Sequence, residues 1–303
     1  MFFSAISACS AVKDDHMSIR QITIIGTGLI GGSLALALKK HKFAGRIVGC
    51  DRDSALEKAQ VRGAIDKAIA HPGDAVQGSQ IVVLATPVLS IIDLIERIGP
   101  VLPKETLLTD VGSTKSAVLE RAVQVFGKNA KNRFLGGHPL AGKELSGIDY
   151  ADPDLFKDAT WFLTPLPEQN LNQGVFAEFC GWIDHIGARV AMMPAAEHDR
   201  LCAWISHLPQ MVSTALAATL VEEFGEEAPL LAAGGKALRE MTRVASSPYP
   251  MWRDIAISNK KNLEDALLKL EQRLAHIREN LATKQLSDEF EEAHQLRKLP
   301  VKR

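Results

Sequence analysis

Three short segments combine reactive residue types with spacings that would hold them still. In Gly136-Gly137-His138-Pro139-Leu140-Ala141-Gly142-Lys143-Glu144, an imidazole stands between two glycines and a proline. Glycine permits close backbone approach and proline fixes φ. His138 therefore reads as a loop residue on a set backbone, placed to take or give a proton near neutral pH. In Asp110-Val111-Gly112-Ser113-Thr114-Lys115, the Ser113 hydroxyl either caps a following helix or meets a substrate, and the two roles are compatible. Met241-Thr242-Arg243 offers a guanidinium, suited to a bidentate grip on a carboxylate or to a surface salt bridge. Ser206-His207-Leu208-Pro209 lies upstream and adds a second imidazole.

A fourth segment points to a phosphate-bearing ligand. Gly26-Thr27-Gly28-Leu29-Ile30-Gly31 follows the β-rich run Ile22–Ile25 and opens a helix-prone run to Lys40. This is the dinucleotide fingerprint in its proper context. Gly26 allows the tight turn, Gly28 lets backbone approach a pyrophosphate, and Gly31 allows close helix–strand contact. The amides at Leu29, Ile30 and Gly31 then face the phosphates. Asp51, at the end of the next β-rich run, suits the ribose hydroxyls and favours NAD. Arg52 beside it could pair with a 2′-phosphate, which keeps NADP open. Thr86 and Pro87 end the apolar run Ile81–Ala85 and are expected to line the same cleft.

Alternating strand and helix signals run to about residue 193 and predict a doubly wound α/β domain of the Rossmann type. Beyond Ala195 β-rich runs all but vanish, and an all-α domain is expected. The division is then residues 1–18 as a flexible extension, 19–194 as the dinucleotide-binding domain and 195–303 as the helical domain. Within the latter, 195–224 reads as one long helical stretch with a kink at Pro209. Leu263, Leu267, Leu270, Leu274, Ile277 and Leu281 form a stripe along one helix face, packed within the domain or against a second copy. A homodimer through this domain is the expectation.

Composition closes off other classes. The 303 residues carry a net charge of −1, so nothing advertises nucleic acid or an anionic membrane. The four cysteines show no CxxC spacing, which argues against a disulfide framework or a zinc site and suits a reducing cytoplasm. No apolar stretch is long enough to span a membrane, and the apolar start Met1–Ala8 has no preceding Lys or Arg to make it an export signal.

Together these segments resemble the prephenate/arogenate dehydrogenase family of tyrosine biosynthesis. The resemblance rests on GTGLIGGS (26–33), DVGSTK (110–115), GGHPLAGKELSG (136–147), SHLPQ (206–210), REMTRVA (239–245) and MWRDI (251–255), in order and spacing through both domains. It implies NAD-dependent oxidative decarboxylation of prephenate to 4-hydroxyphenylpyruvate, or of arogenate to tyrosine. It gives His138 the role of accepting the proton of the ring hydroxyl at C4, and Ser113 that of sharing and orienting this hydroxyl. It gives Arg243 a substrate carboxylate, His207 a polar or supporting contact, Glu144 a place at the pocket mouth, and Trp252 a place beside the pocket. Gln210 stands where some members carry histidine near the substrate's side chain, and Gly234-Gly235-Lys236-Ala237 is only partly the glycine-rich run of many members. A 6-phosphogluconate-type dehydrogenase would use a lysine in the helical domain as base, where this chain has a histidine-centred set. A dinucleotide-binding protein without catalysis is expected to have lost Ser113, His138 or Arg243, and all three are present.

Overall fold

A computed structural model of the chain describes residues 19–225 and 233–298. The proposed extension 1–18 lies outside the described residues. Eight strands, β1 (Gln21–Ile25), β2 (Arg46–Cys50), β3 (Lys67–Ala68), β4 (Ile81–Leu84), β5 (Leu107–Asp110), β6 (Phe134–Pro139), β7 (Thr160–Thr164) and β8 (Arg189–Met192), form one sheet. Their order is β3-β2-β1-β4-β5-β6-β7-β8. All neighbours are parallel except β6 and β7, which run antiparallel. The order reverses between β1 and β4, so a crevice opens at the carboxyl ends of these two strands, where ligands of open α/β sheets bind.

The two-residue repeat of a strand sends alternate side chains to opposite faces. Ile22, Ile24, Ile47, Ile81, Val83, Leu107 and Leu135 enter one apolar core. Ile25, Val48, Val82, Leu84, Leu108 and Phe134 enter the other. Helices cover both faces: α1 (Leu29–Lys40), α2 (Asp53–Val61), α3 (Pro72–Ala75), α4 (Val88–Ile98), α5 (Ser116–Phe126), α6 (Ala130–Arg133) and α7 (Gly174–His185). In α4, buried Val88, Ile91, Leu94, Ile95 and Ile98 recur at three- and four-residue intervals and form a single apolar face. Lys39 and Lys40 close α1, where the helix dipole favours cations.

Past β8 the described chain is helical: α8 (Ala195–Cys202), α9 (Leu208–Phe224), α10 (Gly235–Thr242), α11 (Tyr249–Ser258), α12 (Lys260–Glu279) and α13 (Lys284–Lys298). The expected kink at Pro209 takes another form. A wide π-helical turn, Ala203–His207, separates α8 from α9, and Pro209 sits in the first turn of α9, where its missing N–H costs nothing. The leucine stripe is also shorter than read. α12 ends at Glu279, before Leu281, and only Leu263 at its start is fully buried, while Leu267 and Leu274 face outward. Among the described residues no helix is long and apolar enough to cross a membrane.

Candidate active site

The turn between β1 and α1 is shaped by its glycines. Gly26 has φ +97°, a left-handed value that suits glycine. A methyl group there would meet the Ala85 carbonyl oxygen at 2.4 Å, and one at Gly31 would meet the Gly26 carbonyl oxygen at 1.9 Å. Gly28 differs, since a methyl group there meets nothing within 4 Å. The turn is thus sealed against the sheet and open in front of α1. The first helical bond runs from the Gly32 amide to the Gly28 carbonyl, which leaves the Leu29, Ile30 and Gly31 amides without helical acceptors.

Asp51 follows β2, and its carboxylate accepts hydrogen bonds from the Thr27 amide at 2.7 Å, the Thr27 hydroxyl at 3.1 Å and the Arg52 amide at 2.8 Å. The acid is therefore fixed beside the glycine turn, while Arg52 is exposed ahead of α2. Thr86 packs on Gly26, and its buried hydroxyl has no hydrogen-bond partner among the described residues. Pro87 stands next to it, ahead of α4. An open backbone cradle, a helix N-terminus, an oriented carboxylate and an orphaned hydroxyl together fit a dinucleotide.

His138 departs from its reading as a loop residue. It lies in β6, paired with Phe162 of β7, and is 7% exposed. The glycines before it allow tight packing rather than a loop: a methyl group at Gly137 would meet the Asp110 carbonyl oxygen at 2.7 Å. His138 Nδ1 is 2.9 Å from Nε2 of His198, and His198 Nδ1 is 2.9 Å from Oδ1 of Asp199. The Asp199 carboxylate also accepts the Lys115 and Ser116 amides, at 2.7 and 2.8 Å. These partners keep Asp199 ionised, with its pKa below the usual range despite burial. An ionised Asp199 requires His198 to carry its proton on Nδ1, so Nε2 accepts from Nδ1–H of His138. The Nε2 lone pair of His138 is then free, and that atom makes no hydrogen bond among the described residues. Burial, followed by the neighbouring His198, Lys115 and His207, pushes the His138 pKa well down and keeps the ring neutral. The result is a neutral imidazole with one oriented acceptor nitrogen, as a general base requires.

Ser113 sits in the turn between β5 and α5. The capping alternative falls away: α5 begins at Ser116, and its first amides are capped from α8 by Asp199. Ser113 is half-buried, and its hydroxyl makes no hydrogen bond among the described residues. A fully buried ion pair between Lys115 and Asp110 spans this turn, and both partners bond to Gly137 of β6. Lys115 Nζ donates to the Gly137 carbonyl at 2.7 Å, and the Asp110 carboxylate accepts the Gly112 and Gly137 amides at 2.8 and 3.3 Å. Burial pushes the carboxyl up and the ammonium down, and each opposes the other's shift. The pair fixes the Ser113 turn relative to His138.

The remaining predicted residues form a second group. His207 lies in the π-helical turn, fully buried, and burial pushes its pKa down to about 4. Its Nδ1 is 3.2 Å from the Asn259 amide nitrogen, which also donates to the Asp199 carbonyl at 2.7 Å and so joins the two groups. Trp252 packs edge-on to His207 at 6.0 Å, and the His207 Nε2 and Trp252 Nε1 atoms are both buried without partners among the described residues. Gln210 is buried and donates to the Val244 carbonyl at 2.8 Å, which braces the segment holding Arg243. Arg243 itself pairs with Glu144. The sequence reading missed His198, Asp199, Asn259 and the Asp110–Lys115 pair. The usable signal was an adjacent His-Asp pair at the opening of the helical region, and an acid and a lysine flanking the Ser113 turn.

Comparison with known proteins matches two successive stretches of the chain. Residues 34–192 match the family model "Prephenate dehydrogenase, nucleotide-binding domain", and residues 194–296 match "Prephenate dehydrogenase, dimerization domain". A prephenate dehydrogenase of Lactococcus lactis is 36% identical over 84% of this chain and 72% of its own length. One from Bacillus subtilis is 36% identical over 80% of this chain and 65% of its own length. The prephenate dehydrogenase of Aquifex aeolicus, solved with hydroxyphenyl propionate and NAD+, superposes with a TM-score of 0.83 at 30% identity, covering 93% of this chain and 99% of that one. The arogenate dehydrogenase of Synechocystis superposes with a TM-score of 0.70 at 31% identity, covering 91% and 95% of the two chains. With both halves matched in sequence and the whole fold matched in space, the chain belongs to the prephenate dehydrogenase family.

Proposed function

We propose that this chain catalyses the NAD-dependent oxidative decarboxylation of prephenate to 4-hydroxyphenylpyruvate. The observation that carries the reading is the tautomer of His138, held by His198 and Asp199 so that Nε2 is left to accept a proton. The cradle of Gly26, Gly28, Gly31 and Asp51 would hold the pyrophosphate and adenosine ribose of NAD, whose nicotinamide would supply the hydride acceptor. His138 Nε2 takes the proton of the C4 hydroxyl, and Ser113 orients that hydroxyl. Arg243 turns from Glu144 to a substrate carboxylate, which the exposure of this ion pair permits. The anchored Asp51 carboxylate repels a 2′-phosphate and so favours NAD over NADP.

A second reading takes arogenate as substrate. It is supported by the likeness to the Synechocystis enzyme and to a cyclohexadienyl dehydrogenase of Zymomonas mobilis, 30% identical over 79% of this chain. We further propose a boundary at residues 194–195, and a homodimer through the helical region. Large apolar side chains such as Trp204, Ile205, Phe224, Ile257 and Phe290 are exposed there. Initial rates of NADH or NADPH formation with prephenate or arogenate test the reading. Fast reduction of NAD with prephenate is expected; activity with arogenate alone favours the second reading, and four silent assays of folded protein that still binds NAD overturn both.

A further inference from the structure

The sequence holds no pair of cysteines or histidines at zinc-site spacing, yet the fold assembles such a set from separate elements. His138 Nδ1 from β6 and His198 Nε2 and Cys202 Sγ from α8 all lie within 4.8 Å of one another, and all three residues are buried. The separations are 2.9 Å between the two nitrogens, 3.4 Å from Sγ to His198 Nε2 and 3.9 Å from Sγ to His138 Nδ1. With metal–nitrogen bonds of about 2.05 Å and a metal–sulfur bond of about 2.3 Å, these separations give angles of roughly 90–130° at a common centre, around the tetrahedral value. His198 also has the outer support that metal-bound histidines use, because its other ring nitrogen donates to the Asp199 carboxylate. Cys202 has no part in the proton path proposed above.

We propose that His138, His198 and Cys202 form a three-ligand site for a thiophilic divalent cation, zinc or cadmium, and that filling it silences the enzyme. Charge favours occupation. Asp110 and Asp199 oppose the single charge of Lys115, so the empty site carries one excess negative charge, and a divalent ion bound by one thiolate brings the sum to zero. Cys202 binds as the thiolate, so capture of one ion releases one proton. Silencing follows from the tautomer. The ion takes the Nδ1 lone pair of His138, so the proton formerly on Nδ1 moves to Nε2, the atom that must be bare to act as base. No net proton is lost from the ring in that step. Binding stands on the ligand geometry alone, whereas silencing rests on the proposed role of His138.

Cadmium titration of the full chain in chelator-free buffer separates these two statements. The ultraviolet thiolate-to-cadmium charge-transfer band is expected to saturate at one equivalent, with a parallel fall of at least tenfold in the rate of NADH formation that EDTA reverses. Cys202→Ser and Cys202→Ala are expected to keep the basal rate and to lose both band and inhibition. Absence of a stoichiometric band, or an undiminished band in either variant, overturns the site. A Cys202-dependent band with an unchanged rate overturns the silencing, and it points to the role of His138 rather than to the ligands.

Discussion

The cofactor cradle and the seam between β6 and α8 solve different physical problems. In the cradle the working groups are backbone amides, and what matters is which atoms are missing: no side chain fits at Gly26 or Gly31, and none fills the space at Gly28. In the seam the working groups are side chains, His138 held by His198, His198 by Asp199, and Asp199 by the Lys115 and Ser116 amides where α5 begins. A cradle of this kind fails sterically and takes the local fold with it. A seam of this kind fails chemically, in steps, while the fold stands.

The largest expected effect tests the seam. His138→Asn removes the bare nitrogen but keeps a small polar side chain, and a positioned base contributes about 10²–10⁴ in rate. Turnover with prephenate should fall by that factor, while NAD affinity and melting temperature stay near wild type. A matching loss of NAD affinity would merge the two regions and break the comparison.

The cradle should behave in the opposite sense. Gly31→Ala drives a methyl group into the Gly26 carbonyl and costs on the order of 2–4 kcal/mol, judged by the range for severe packing faults. The melting temperature should drop by several degrees. Gly28→Ala meets open space, so its melting temperature should hold while its NAD affinity falls.

A third effect belongs to the helical region. His207 titrates near 4 in the folded protein and near 6.5 when unfolded, so only the unfolded chain binds the proton between these values. Stability is whole above about pH 6.5 and declines by about 3 kcal/mol as pH falls towards 4. His138 and His198, also shifted down, add in the same direction. Urea midpoints across this range should fall less steeply in His207→Gln than in wild type, and equal slopes would mean that His207 is not buried as a neutral ring.

His198→Gln sharpens the account of the seam. It leaves His138 in place but removes the ring that fixes its tautomer. A fall of roughly tenfold to a hundredfold in kcat, with KM for prephenate little changed, separates positioning from direct catalysis. A loss equal to that of His138→Asn would make His198 a base in its own right.

The same contrast explains what was legible in the sequence. Gly26, Gly28, Gly31 and Asp51 lie within one β-α-β unit, so residue type and spacing encode the cradle locally. The strand runs were readable because buried parallel strands are continuously apolar, as Ile81–Leu84 shows. Strand β6 was harder, since Gly136, Gly137 and Pro139 read as loop residues until pairing with β7 and the Lys115–Asp110 pair explain the tight packing. His198 and Asp199 act on residues 60 and 84 positions away, and no local pattern records such a contact. The helix cap is the clearest example: Ser113 was the local candidate, and the group that caps α5 comes from another domain-sized stretch of chain.

The smallest expected effect concerns two separately predicted residues, Arg243 and Glu144, that the structure joins in an ion pair. Arg243 meets Glu144 with both side chains partly open to water, the guanidinium 64% exposed. Exposed pairs of this kind are worth about 0–1 kcal/mol, so they hold the arginine without locking it. In the proposed role of Arg243, a substrate carboxylate must displace that partner before it is gripped. Glu144→Gln should therefore lower KM for prephenate by at most about fivefold, the equivalent of about 1 kcal/mol, with kcat unchanged and the gain shrinking as salt is added. A raised KM would reverse the sign of the argument, because Glu144 would then be presenting Arg243 to the substrate rather than competing for it.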